Sequence, residues 1–158
     1  MKEMASVIVI YESKYGNTKA VAESIIEGIG EVSGAEAVLN ELKEVDINQL
    51  VDFDMILIGS PNHVGGATRG IRKFIDELGK LELKGKQIAV FDTYLGGDYE
   101  KAVKKMEKQI GQKVSQLALV TPGLSIRVEG MKGPVTDGEL PKCKDFGKKI
   151  AHRIKGEA

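Results

Sequence analysis

Residues 11–20, YESKYGNTKA, leave the apolar run SVIVI (6–10) and enter at once a segment whose apolar residues recur at helical spacing. Ser13 and Thr18 supply hydroxyls, Gly16 lets backbone approach closely, and Asn17 or Thr18 is a natural helix cap. Such a loop gathers backbone N–H groups at a helix N-terminus, where an anion binds without a full counter-charge. The expected ligand is phosphorylated; the plainer alternative is that Asn17 or Thr18 only caps the helix. Neither the Gly-x-x-x-x-Gly-Lys of nucleotide hydrolases nor the Gly-x-Gly-x-x-Gly of dinucleotide folds is present here. Two further loops, 60–68 and 92–99, follow buried runs and are rich in Gly and polar residues.

These loops need a frame that brings them together. SVIVIY (6–11), MILIG (55–59), QIAVF (87–91) and LALVT (117–121) are rich in Val, Ile and Leu, as parallel strands covered on both faces are. AEAVLNEL (35–42) is more mixed and suits an edge strand. Between them lie apolar stripes at helical spacing: Val21, Ala22, Ile25, Ile26 and Ile29; Ile71, Phe74, Ile75 and Leu78; Val103, Met106 and Ile110. The connection 43–53 has room for one or two helical turns. A last helix near 139–154 carries Leu140, Cys143, Phe146, Ile150 and Ile154 on one face, which puts Cys143 in the core. The order is βαβαβαβαβα with a short second helix, and 129–141 is irregular, its glycines and prolines marking turns. Right-handed crossovers turn this alternation into an α/β, doubly wound, five-stranded parallel sheet with helices on both faces. Ligands of such sheets bind at the C-terminal strand ends where strand order switches, and loops 12–18, 60–68 and 92–99 leave there.

Ser13-Lys14-Tyr15-Gly16-Asn17-Thr18 resembles the FMN-phosphate loop of the flavodoxin family. Tyr15 stands where many flavodoxins have Ser or Thr, and is similar to the FMN domains of flavo-diiron proteins. LVDFDMILIGSPNHVGG (50–66) resembles the family's third strand and first flavin loop, and GKQIAVFDTYLGGDYEKAVKKME (85–107) its fourth strand, second flavin loop and helix. The resemblance covers essentially the whole chain. It implies one flavodoxin-like domain over 1–158 with strand order 2-1-3-4-5, and FMN as cofactor. The phosphate loop would be Ser13, Lys14, Tyr15, Gly16, Asn17 and Thr18, and the first flavin loop Pro61, Asn62, His63, Val64, Gly65 and Gly66. The second would be Asp92, Thr93, Tyr94, Leu95, Gly96, Gly97 and Tyr99. By the same resemblance Tyr94 is favoured over Tyr99 for stacking. The Val64–Gly65 peptide, with Gly66 as the alternative, would turn its carbonyl to the reduced flavin N5. The implied function is one-electron transfer between redox partner proteins. The alternatives are an NAD(P)H:quinone oxidoreductase of the tryptophan-repressor-binding-protein type and, last, an FMN-free interaction module.

Composition excludes other classes. With 23 acidic and 23 basic residues the net charge is zero, which offers no footprint for nucleic acid and no attraction to an anionic membrane. Apolar runs stop far short of the ~20 residues that span a bilayer. A cytoplasmic protein, monomer or dimer, is expected, and the single cysteine agrees with a reducing compartment. The third strand ends in LIGSP, without the phospho-accepting Asp of a receiver domain. Two distant histidines and one cysteine build neither a hydrolytic triad nor a metal site, so redox chemistry must come from a cofactor. Flavodoxins are usually strongly acidic. Lys101, Lys104, Lys105, Lys108 and Lys113 argue against a partner chosen by a uniformly acidic face.

Overall fold

The computed structural model describes residues 4–156. In chain order the elements are β1 (Ala5–Tyr11), α1 (Asn17–Gly30), β2 (Ala35–Glu41), β3 (Met55–Pro61), α2 (Arg69–Leu78), β4 (Gln87–Tyr94), α3 (Lys101–Lys113), β5 (Ala118–Leu119), β6 (Leu124–Arg127) and α4 (Leu140–Ile154). The short second helix expected at 43–53 is instead a pair of 3-10 turns, Leu42–Glu44 and Ile47–Asp52. Asp46 opens the second turn by accepting a hydrogen bond from the Asn48 N–H at 3.0 Å.

All ladders between these strands are parallel, in the order β2-β1-β3-β4-β5, as expected of a doubly wound sheet. The last strand departs from the sequence reading. It is broken: Ala118–Leu119 pairs with Gln87–Ile88, the chain bows out, and Leu124–Arg127 resumes against Phe91–Tyr94. The bow contains the cis peptide Thr121–Pro122. Pro122 has no N–H to give the ladder, which is why the run at 117–121 cannot continue as strand. Leu124, Ile126 and Val128 alternate with polar residues, the period-two signal of the second piece.

Strand residues are apolar without interruption because both faces are buried. Val7, Val9, Met55, Leu57, Ala89 and Phe91 pack against α1 and α4, while Ile8, Ile10, Ile56, Ile58, Ile88 and Val90 pack against α2 and α3. Each Ile, Leu or Val so buried contributes about 1.5–3 kcal/mol. Cys143 lies in the first of these layers, as the helical stripe suggested. α1 and α4 cross closely through two glycines. A Cβ at Gly28 would stand 2.0 Å from the Lys144 carbonyl oxygen, and one at Gly147 2.1 Å from that of Ile25. The register pairs Tyr11 with Gly59 and Pro61 with Thr93, so the loops after β1, β3 and β4 leave the sheet side by side.

Candidate functional site

The first loop turns into α1 through Gly16, whose φ of 94° is a left-handed conformation that glycine adopts without a Cβ penalty. Gly16 N–H donates to Ser13 Oγ at 3.0 Å. Neither Asn17 nor Thr18 caps the helix: α1 begins at Asn17 with no side-chain cap hydrogen bond. The Thr18 hydroxyl is buried against that of Thr93 at 3.0 Å and ties the loop to β4. The N-terminal turn of α1 therefore keeps its N–H groups for something other than its own side chains.

After β3, Ser60 Oγ–H donates to the Pro61 carbonyl and accepts from Thr68 N–H, at 2.8 and 2.9 Å. Thr68 caps α2, accepting from Ile71 N–H, and its hydroxyl donates to Glu12. Between these anchors His63 and Gly66 exchange backbone hydrogen bonds around a two-residue turn. Val64 and Gly65 are both at positive φ, 52° and 75°, the pattern of a type I′ turn. Asn62 N–H donates to the Thr93 carbonyl at 2.7 Å, and Asn62 Nδ2 donates to Asp98 at 2.7 Å. Because the Asp98 carboxylate can only accept, this fixes the amide orientation. Asn62 Oδ1 is then left buried without a hydrogen-bond partner.

In the loop after β4, the Tyr94 and Tyr99 rings meet edge to face, 5.5 Å apart at 67°. Burial raises the Tyr94 phenol above its ordinary pKa. Hydrogen bonding from Lys101, 2.9 Å away, holds the Asp98 carboxyl below the usual range. A fourth segment joins them. Val128 N–H donates to the Tyr94 carbonyl at 2.9 Å, and 128–135 folds back on itself through a Val128–Val135 bridge. Gly133 comes so close to Asn17 that a Cβ would lie 2.3 Å from its Oδ1.

Together these segments enclose a cleft of about 310 Å³. Ser13, Lys14, Tyr15, Asn17 and Thr18 line it from the first loop, Pro61, Asn62, His63 and Val64 from the second, and Thr93, Tyr94 and Leu95 from the third. Asp98, Val128 and Met131 also line it and were not anticipated. The other expected residues lie elsewhere. Gly16 shapes the turn into α1, and Gly65 and Gly66 form the hairpin side facing Lys105. Gly96 and Gly97 are exposed on the outer loop, and Tyr99 stands behind Tyr94, 59% exposed. Asp92 points away from the cleft. Its fully buried carboxylate accepts from Ser125 Oγ–H at 2.6 Å and Val103 N–H at 2.9 Å, and so holds the start of α3. Burial, partly offset by the Ser125 hydrogen bond, pushes its pKa from 3.8 up to about 6.

A flavodoxin-domain model matches residues 8–128, and a parallel sheet of this order with a cleft at its switch point defines the same class. The chain belongs to the flavodoxin-domain family. A flavodoxin from the domain Archaea is 29% identical, over 95% of this chain and 99% of its own, with a TM-score of 0.81. Oxidised flavodoxin 2 from Bacillus cereus is 28% identical over 96% and 99%, with a TM-score of 0.77. The flavodiiron protein from Giardia intestinalis shares the fold at 20% identity, over 98% of this chain and 37% of its own, with a TM-score of 0.79.

Proposed function

We propose that the chain binds FMN in this cleft and carries single electrons between redox partner proteins. The observation that carries the proposal is a pair of unmet hydrogen-bonding ends facing one cavity region: the uncapped N-terminal turn of α1 and the buried, unpartnered Asn62 Oδ1. An orphaned buried acceptor costs about 1–3 kcal/mol unless a ligand satisfies it. The residues fit the cofactor's two ends. The α1 turn, with the Ser13 hydroxyl, suits a phosphate. Asn62 supplies an acceptor for a ring N–H, and Val64, Tyr94, Leu95, Val128 and Met131 give apolar walls for a planar ring. Bound FMN would supply the one-electron chemistry. Thr18 and Thr93 lock the phosphate loop to β4, Asn62 and Asp98 lock the second loop to the third, and the Tyr94 ring, braced by Tyr99, excludes water.

FMN added to flavin-free protein is expected to be quenched with a Kd of about 1 μM or tighter, near −8 kcal/mol. Riboflavin, which lacks the phosphate, should bind more weakly. No binding of either would end the proposal and leave the interaction-module alternative. NADH or NADPH alone should reduce the bound flavin slowly; rapid bleaching followed by turnover on a quinone would establish the reductase alternative instead. Among the described residues, no helix is long and apolar enough to cross a membrane.

A further inference from the structure

Two more hollows flank the His63–Gly66 turn. One, of about 630 Å³, lies between the first loop, the 3-10 turn after β2 and α2; the other, of about 270 Å³, lies between α2 and α3. His63 and Arg72 line both, Lys14 and Arg69 the first, and Lys105 the second. Lys105 Nζ reaches within 3.7 Å of where a Gly65 Cβ would be.

Three carboxylates near this turn are paired with a lysine, and two accept only from neutral donors and keep their charge. Asp98 is paired with Lys101 at 2.9 Å, Glu100 with Lys104 at 3.7 Å and Glu41 with Lys43 at 3.2 Å. Glu12 accepts from Thr68, and Asp76 accepts from Gln109 Nε2 at 2.9 Å. Lys14, Arg69, Arg72 and Lys105 are exposed and have no carboxylate partner among the described residues. Four cations without a carboxylate partner, set against the charges of Glu12 and Asp76, leave this side of the cleft locally positive in a chain whose net charge is zero. The cleft mouth itself is apolar. Of the nine most exposed large apolar side chains among the described residues, four stand around it: Tyr15, Val64, Leu95 and Met131. An apolar centre with a charged rim is the anatomy of a transient protein interface, and such a rim sets partner choice and on-rate.

We infer that this surface docks the acidic face of a small redox protein, with Lys14, Arg69, Arg72 and Lys105 meeting its carboxylates and Val64 and Met131 at the apolar centre. The inference rests on the carrier reading of the cleft. A small anionic ligand is disfavoured because the cations are spread over two hollows on opposite sides of a turn and over three separate elements. Attraction from this rim is local, falling off within the Debye length of ~10 Å at 0.1 M salt.

The test is an NMR titration of the 15N-labelled chain with a strongly acidic [2Fe–2S] ferredoxin, and in parallel with strongly basic cytochrome c. The ferredoxin should shift or broaden amides at 14–15, 63–72 and 105, and 0.5 M NaCl should abolish the effect. An Arg69→Glu/Arg72→Glu double variant should bind the ferredoxin at least tenfold more weakly, whereas Lys80→Glu/Lys84→Glu, at the other end of the sheet, should bind unchanged. Preference for cytochrome c at this surface, binding of neither protein, or an unaffected double variant would overturn the proposal. Because the readout needs no flavin, a chain that fails to take FMN yet shows these shifts would refute the carrier reading and support the docking surface.

Discussion

Asp92 follows the buried apolar run IAVF as the one charged residue of β4, and its carboxylate holds Ser125 and the first turn of α3. Its folded pKa of about 6 lies above the unfolded 3.8, so the folded state takes up the proton more readily. The stabilisation is fully present below pH ~3.8 and is lost as pH rises through ~6, a change of about 2 kcal/mol between pH 4 and 7. Asp92→Asn removes the charge and keeps an acceptor for Val103 N–H, while the Ser125 bond turns round, the amide Nδ2 donating to Ser125 Oγ. Urea unfolding at the two pH values should show the difference between wild type and variant changing by that amount, in favour of the variant at pH 7. Cys143 makes a second case: burial pushes its thiol up to about 12, so iodoacetamide at pH 7.5 should label it only after unfolding. Val64 is a β-branched residue at φ 52° with 92% of its surface exposed, so its side chain recovers little for the strain. Val64→Asn, which creates the Asn-Gly pair favoured in type I′ turns, should raise unfolding stability by about 1 kcal/mol. At this scale the sequence was legible where spacing decides, as for Cys143 in its helical stripe. It was not legible for Asp92, because β4 runs on past it to Tyr94 and a place near the strand end does not say that its side chain turns to Ser125 and α3 and not to the cleft. A lone carboxylate at the end of an apolar run was the available sign that a buried partner was needed.

The crossing of α1 and α4 separates two kinds of contact. Gly28 and Gly147 let the helices touch backbone to backbone, whereas Glu31 links α1 to Lys144 and Lys148 by ion pairs of 2.9 and 3.1 Å at the surface. Carbonyl groups cannot swing aside as side-chain tips can, so Gly28→Ala and Gly147→Ala should each cost about 1–3 kcal/mol. Glu31→Gln should leave unfolding stability close to unchanged, since exposed ion pairs are screened. Gly111 in α3 has nothing within 4 Å of its would-be Cβ, and Gly111→Ala should stabilise by about 0.5–1 kcal/mol through helix propensity alone. Thermal unfolding of the four variants separates these orders. The helices and first four strands could be read from hydrophobic period because tertiary packing imposes that period on them. The broken β5–β6 edge could not, since LALVT carries the same apolar content as a continuous strand and only Pro122 and the alternation after it mark the break.

Across the whole molecule the cleft draws on four segments spread over about three-quarters of the chain, and binding there should stabilise all of them together. FMN at a hundred times its Kd should raise unfolding stability by about 2.7 kcal/mol, measurable as a shift in the urea midpoint. Three of the four segments were evident from their place after buried strands. The fourth, 128–135, reads only as a Gly- and Pro-rich connection, because its position depends on β6 and on the close approach of Gly133 to Asn17, which no local pattern encodes. The packing of α4 onto α1 also sets an order of events during synthesis. Gly28 leaves the ribosome long before Lys144, roughly 6–23 s earlier at ordinary elongation rates. Through that interval the stripe Val21, Ala22, Ile25 and Ile29 on α1 has its sheet-facing strands arriving but not the helix that closes over it. The growing chain thus presents a sticky helix to chaperones for most of its translation, and the segment that touches Asn17 arrives only near the end.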